Sequence, residues 1–103
     1  MPKLNGMSNE EDMRAVPTIF YLMAQYQGRA VVPLEIVCRD YFPHLSVQKL
    51  LRKCLRGEIA LPIYRSEFSQ KSGRGVHIND LGIYIDKRRA AAVRERDQLC
   101  GPE

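Results

Sequence analysis

Two apolar stripes separated by a four-residue turn constrain this chain more than any other feature. Leu34, Val37, Cys38 and Tyr41 recur at i, i+3, i+4 and i+7, and after Phe42-Pro43-His44-Leu45 the same period resumes with Val47, Leu50, Leu51, Cys54 and Leu55. Each stripe predicts a short amphipathic helix. The fixed φ of Pro33 suits the first turn of the earlier helix, while Pro43 biases Phe42 away from the α region and stops that helix near Tyr41. Ser46 stands where a hydroxyl would satisfy the free N–H groups of the later helix, and Gly57 offers it a left-handed stop after Arg56. Two helices joined so tightly have the form of a helix-turn-helix.

The flanking segments extend this unit. Ile19, Leu22, Met23 and Tyr26 predict a helix from Pro17 that Gln27-Gly28 terminates, and Ala30-Val31-Val32 predicts a brief strand. Ile59 to Tyr64, despite Pro62, and Gly75-Val76-His77-Ile78 read as the arms of a hairpin whose link is rich in Ser and Gly. Asn79 or Asp80 is the expected cap of a final helix, with Leu81, Tyr84, Ile85, Arg88, Ala91 and Ala92 on one stripe and Gly82 weakening its first turn. That stripe serves either to close the core or to pair two copies as a homodimer. The expected fold class is α+β, mainly helical: a winged helix-turn-helix with a short β-hairpin wing. Residues 1–16, which have no period, are expected to be a flexible leader, 17–98 the domain and 99–103 a flexible tail, with Met7 or Met13 as alternative starts.

Charge then says what such a fold would meet. Sixteen Lys and Arg against twelve Asp and Glu give a net +4. From His44 to His77 the bases are Lys49, Arg52, Lys53, Arg56, Arg65, Lys71 and Arg74 against only Glu58 and Glu67, so the whole excess lies there. A field of this kind attracts a polyanion, either nucleic acid or an anionic membrane surface. A basic helix opposite an apolar face is usually just a solvated surface. The case for DNA is that the charge maximum coincides with the second helix and the hairpin, the two elements that touch a duplex in this fold.

Residue chemistry divides the expected contacts. Gln48 and Arg52, one helical turn apart at 46–56, are the candidates for reading bases, because Gln can pair twice with adenine and Arg twice with guanine. Lys49, Lys53 and Arg56 are expected on phosphates, which raises affinity without reading sequence. In the wing at 65–77, Arg65, Gln70, Lys71 and Arg74 supply donors beside small residues that permit close backbone approach. An ordinary flexible hairpin loop has the same composition.

Other chemistries find little purchase. His44 and His77 have no carboxylate or Cys at a ligand spacing, the serines lack a nucleophile-elbow context, and Lys71 does not follow the glycine pattern of a phosphate-binding loop. No enzyme, metal or cofactor is expected. Cys38, Cys54 and Cys100 are odd in number and far apart, as reduced thiols are, with the first two read as small core residues. No apolar run approaches the ~20 residues of a bilayer span, and 45% hydrophobic with 27% charged residues is a soluble composition. A cytoplasmic, nucleoid-associated protein is the expectation.

Several stretches together resemble the pyocin activator protein PrtN family. They include Ile19-Phe20-Tyr21-Leu22-Met23-Ala24-Gln25-Tyr26, Gly28-Arg29-Ala30-Val31, Pro33-Leu34 and Val37-Cys38-Arg39-Asp40. Downstream the resemblance continues through Lys49-Leu50-Leu51-Arg52-Lys53, Gly57-Glu58-Ile59-Ala60-Leu61-Pro62, Ser69-Gln70-Lys71-Ser72, Gly75-Val76-His77, Tyr84-Ile85-Asp86 and Arg89-Ala90-Ala91-Ala92. It implies a transcription activator of bacteriocin or prophage genes that recognises double-stranded promoter DNA, works with RNA polymerase and answers to a damage-responsive repressor. The alternatives left open are a phage-encoded regulator that docks on another protein and an architectural or excisionase-like DNA-binding protein.

Overall fold

A computed structural model describes residues 16–67 and 73–101. Helix α1 (Thr18–Gln25) is followed by strand β1 (Val31–Pro33), helices α2 (Leu34–Tyr41) and α3 (Val47–Leu55), strands β2 (Tyr64–Arg65) and β3 (Arg74–His77), and helix α4 (Ile78–Cys100). The architecture is α+β and mainly helical. Its antiparallel sheet has the order β1-β3-β2, so the last strand in the chain occupies the centre. Val32 pairs with Val76 and Tyr64 with Gly75, and Ile78 N–H donating to the Ala30 carbonyl at 2.9 Å extends the β1–β3 ladder into the start of α4.

Alternation along β1 and β3 sends Val32 and Val76 inward, where both are fully buried. They meet Leu22 of α1 and its C-cap Tyr26, Leu34, Val37 and Cys38 of α2, Leu50 of α3 and Leu81 of α4 in one cluster. Each helix therefore gives one short apolar stripe to a shared core. Phe42, non-helical at φ −134° before Pro43, closes the cluster beneath Tyr84, their rings 5.7 Å apart. Gly75 permits the closest approach in the sheet: a Cβ there would lie 2.7 Å from the Val32 carbonyl oxygen.

A polar cluster ties α1 to α2. The Tyr26 hydroxyl donates to Asp40 at 2.7 Å, Arg39 Nε donates to the other carboxylate oxygen at 2.9 Å, and the Tyr41 hydroxyl donates to Gln25 at 2.7 Å. Thr18 reaches from α1 to Asp86 of α4. The buried Cys38 thiol faces the carbonyls of Phe42 and Leu45, and burial pushes the half-buried Cys54 thiol up in pKa.

Some sequence expectations need correction. Met23 is exposed, because α1 turns Ile19, Leu22 and Tyr26 inward and leaves the next position on its flank. Leu55 is 58% exposed for a related reason: it is the final residue of α3, past the part that packs on the core. Ile59 to Tyr64 forms no strand until Tyr64. Ile59 N–H is already bonded to the Lys53 carbonyl and Pro62 has none to donate, although Leu61 still reaches the core. The cap of α4 is neither Asn79 nor Asp80 but His77, whose Nδ1 accepts from Asn79 N–H at 3.1 Å. Arg88 and Ala92, assigned to the apolar stripe of α4, are exposed because the helix runs on after Ile85 without a buried residue.

Candidate nucleic-acid interface

Helix α3 is set by its two ends. At the first, Ser46 Oγ accepts the Lys49 N–H at 3.1 Å with Ser46 itself in extended conformation. At the second, Gly57 has φ +78°, Glu58 N–H donates to the Lys53 carbonyl at 2.9 Å and Gly57 N–H to that of Cys54 at 3.1 Å. These six-to-one and five-to-two bonds form a Schellman motif, which stops the helix within one residue of Arg56. Between the ends, Leu50 is wholly buried. That anchor fixes the rotation of the helix.

The rotation decides what faces out. Gln48, Lys49, Arg52 and Arg56 are exposed, and the Lys53 side chain retains 42% exposure. All five residues expected on the second helix thus lie off its buried side, with Arg52 one turn beyond Gln48 and Lys53 one turn beyond Lys49. Arg52 and Lys53 sit in the last turn, where the carbonyl end of the helix favours cations.

In the sheet, Arg65 and Arg74 are register partners on β2 and β3. Like charges placed directly opposite one another oppose pairing by Coulomb repulsion. They differ in exposure: Arg65 is exposed, whereas Arg74 is half-buried and its Nε is buried with no hydrogen-bond partner. Gln70 and Lys71, expected in the same hairpin, lie outside the described residues. A cleft of about 280 Å³ beside these strands is lined by Arg29, Tyr64, Ser66 and Arg74 among others. Arg29 and Tyr64 were not singled out from the sequence, since an isolated Arg and a strand-end Tyr carry no pattern.

Glu58 is the other residue that sequence reasoning passed over. Its carboxylate lies 3.3 Å from Lys53 Nζ and 3.8 Å from Arg56 Nη1, so one acid bridges two of the five bases and polar groups of α3. The signal was present in outline, because a left-handed Gly57 folds the next residue back over the last turn. A second cleft, of about 660 Å³, lies between α1 and α4 and is lined by Val16, Thr18, Ile83, Asp86 and Arg89 among others. Among the described residues, no group of three or more His, Cys, Asp or Glu is placed to hold a metal, and no helix is long and apolar enough to cross a membrane.

Comparison with known families gives one result. A family model described as pyocin activator protein PrtN matches residues 18–92, which runs from the first residue of α1 into the exposed part of α4. No curated protein and no solved structure matches.

Proposed function

The chain belongs to the pyocin activator protein PrtN family, and from that premise we propose that it is a sequence-specific DNA-binding activator of winged helix-turn-helix type. The regulatory role follows from the family. DNA recognition is supported by one observation: α3, separated from α2 by the five residues Phe42 to Ser46, turns Leu50 into the core and Gln48, Lys49 and Arg52 out to solvent. A helix so placed enters the major groove with base-reading side chains toward the duplex, and β2 with β3 forms the wing that follows the backbone.

Within this reading the residues divide by chemistry. Gln48 and Arg52 read base edges through paired hydrogen bonds, each pair worth about 1–3 kcal/mol of discrimination. Lys49, Lys53, Arg56, Arg65, Arg74 and the wing residues Gln70 and Lys71 hold the backbone. Activation itself requires a further contact, and RNA polymerase is the partner that the family role implies.

The deciding experiment measures binding of the purified protein to the upstream regions of its neighbouring genes and to scrambled duplexes of equal length, across a salt titration. The expected result is steep weakening with salt, from release of counterions, with a large preference for one promoter at every salt concentration. Equal binding of promoter and scrambled DNA throughout would leave an architectural role, and no binding to either would leave a regulator that docks on protein.

A further inference from the structure

We propose that Glu58 is an internal phosphate mimic that engages Lys53 and Arg56 in the free protein and so sets how tightly α3 holds the DNA backbone. The inference rests on the DNA-binding reading and adds to it a residue that limits affinity.

The backbone brings the three residues together. Gly57 at φ +78° and the Glu58 N–H bond to the Lys53 carbonyl bring the residue after the helix stop back over its last turn. In this motif the facing positions frequently make a hydrophobic contact. Here the same two positions hold Glu58 and Lys53, and the contact is an ion pair at 3.3 Å, with Arg56 on the second carboxylate oxygen at 3.8 Å. A two-oxygen acid shared between Lys and Arg presents to them much of what a backbone phosphate would.

Helix stability does not account for an acid at this place. The C-terminal end of a helix concentrates carbonyl dipoles, which favour cations and disfavour a carboxylate. The pairs are also exposed, with Lys53, Arg56 and Glu58 side chains at 42%, 69% and 48%, a setting in which ion pairs contribute little to folding. Glu58 is besides one of only two acids from His44 to His77, and it is directed at the most basic element of that segment. Its effect falls instead on the field that α3 offers to a polyanion. Binding a phosphate at Lys53 or Arg56 first requires leaving Glu58, on every sequence alike, because these residues meet the backbone and not the bases.

The test compares the wild-type chain with Glu58→Gln and Glu58→Asp on the promoter duplex and the scrambled duplex, by fluorescence anisotropy across a salt series, with thermal unfolding alongside. Expected for E58Q are several-fold tighter binding to both duplexes, an unchanged ratio between them, and a salt dependence steeper by up to about two phosphate contacts, each contributing about 0.9 to the log–log slope. The melting temperature stays near wild type, and E58D, which keeps the charge, stays near wild type in binding. If the wild type binds DNA and E58Q shows the same affinity and slope, the phosphate-mimic role is overturned while DNA binding stands. Tightening on the promoter alone also overturns it, because that would place Glu58 against base reading. A wild type that binds neither duplex overturns the DNA-binding reading and this inference together.

Discussion

The Tyr26 hydroxyl donates to Asp40 at 2.7 Å, joining α1 to α2 through a carboxylate that also receives the Arg39 guanidinium at 2.9 Å. The hydrogen bond from Arg39, and then that from Tyr26, hold Asp40 below its ordinary pKa, while burial, and then Asp40, hold the Tyr26 phenol above its own. The signs give a window. A lowered Asp contributes stability that is complete above the unfolded value of about 3.9 and is lost as pH falls through the folded one. A raised Tyr contributes stability that is complete below about pH 10 and is lost as pH rises beyond it. Thermal unfolding against pH should therefore show Asp40→Asn with a flatter acid limb and Tyr26→Phe with a flatter alkaline limb. Curves merely displaced in parallel would refute the assignment.

Ser46→Ala removes the side-chain acceptor for Lys49 N–H and should destabilise the fold by about 0.5–2 kcal/mol, as loss of an N-cap does. Urea unfolding reads the change directly. Ser46→Asp keeps an acceptor and should retain most of the stability, so equal losses in both variants would mean that the cap is not the cause.

Gly75→Ala should be costly although alanine is small. Its methyl would meet the Val32 carbonyl at 2.7 Å and Val31 Cγ1 at 2.8 Å, and since one of these is backbone, β1 and β3 must separate. Overpacking of this sort costs about 1–3 kcal/mol. Hydrogen exchange at Val31, Val32 and Val76 should accelerate in this variant, and unchanged protection there would contradict the close approach.

Substitutions on the outer side of α3 should separate binding from folding. Arg52→Ala with Lys53→Ala is expected to abolish promoter binding while the fold stays within about 0.5 kcal/mol of wild type, since neither side chain belongs to the buried cluster. Gln48→Ala should cost discrimination between promoter and scrambled duplexes, and Lys49→Ala should weaken both equally. A folded double variant that binds the promoter as the wild type does would remove α3 from the interface.

The helices were legible in the sequence because their period and their stops agree. Leu34 to Tyr41 and Val47 to Leu55 each carry one apolar stripe, and Pro43, Ser46 and Gly57 mark boundaries that the structure keeps. Legibility failed where a local pattern met a competing partner. Ile59 has strand character, but its N–H is taken by Lys53 across the Schellman turn, and no composition of residues 59–64 could report that. His77 caps α4 although imidazole is not among the usual capping groups, so Asn79 and Asp80 drew the attention. In the candidate interface, the period of α3 was enough to predict that its basic and polar side chains face out, though not that Leu55 at its end does so too. The bridge from Glu58 to Lys53 and Arg56 was not, because it depends on where the chain goes after the helix ends.

The strand order carries a consequence for how the protein comes into being. β1 is made early, yet its partner β3 is the last of the described strands to be synthesised, and β2 too pairs with β3. On the ribosome, β1 and β2 both wait for their partner until Arg74 to His77 emerge. Val32 cannot be covered by its partner Val76 before that strand arrives, so a nascent chain stalled short of it would hold the basic helix α3 on an unfinished core.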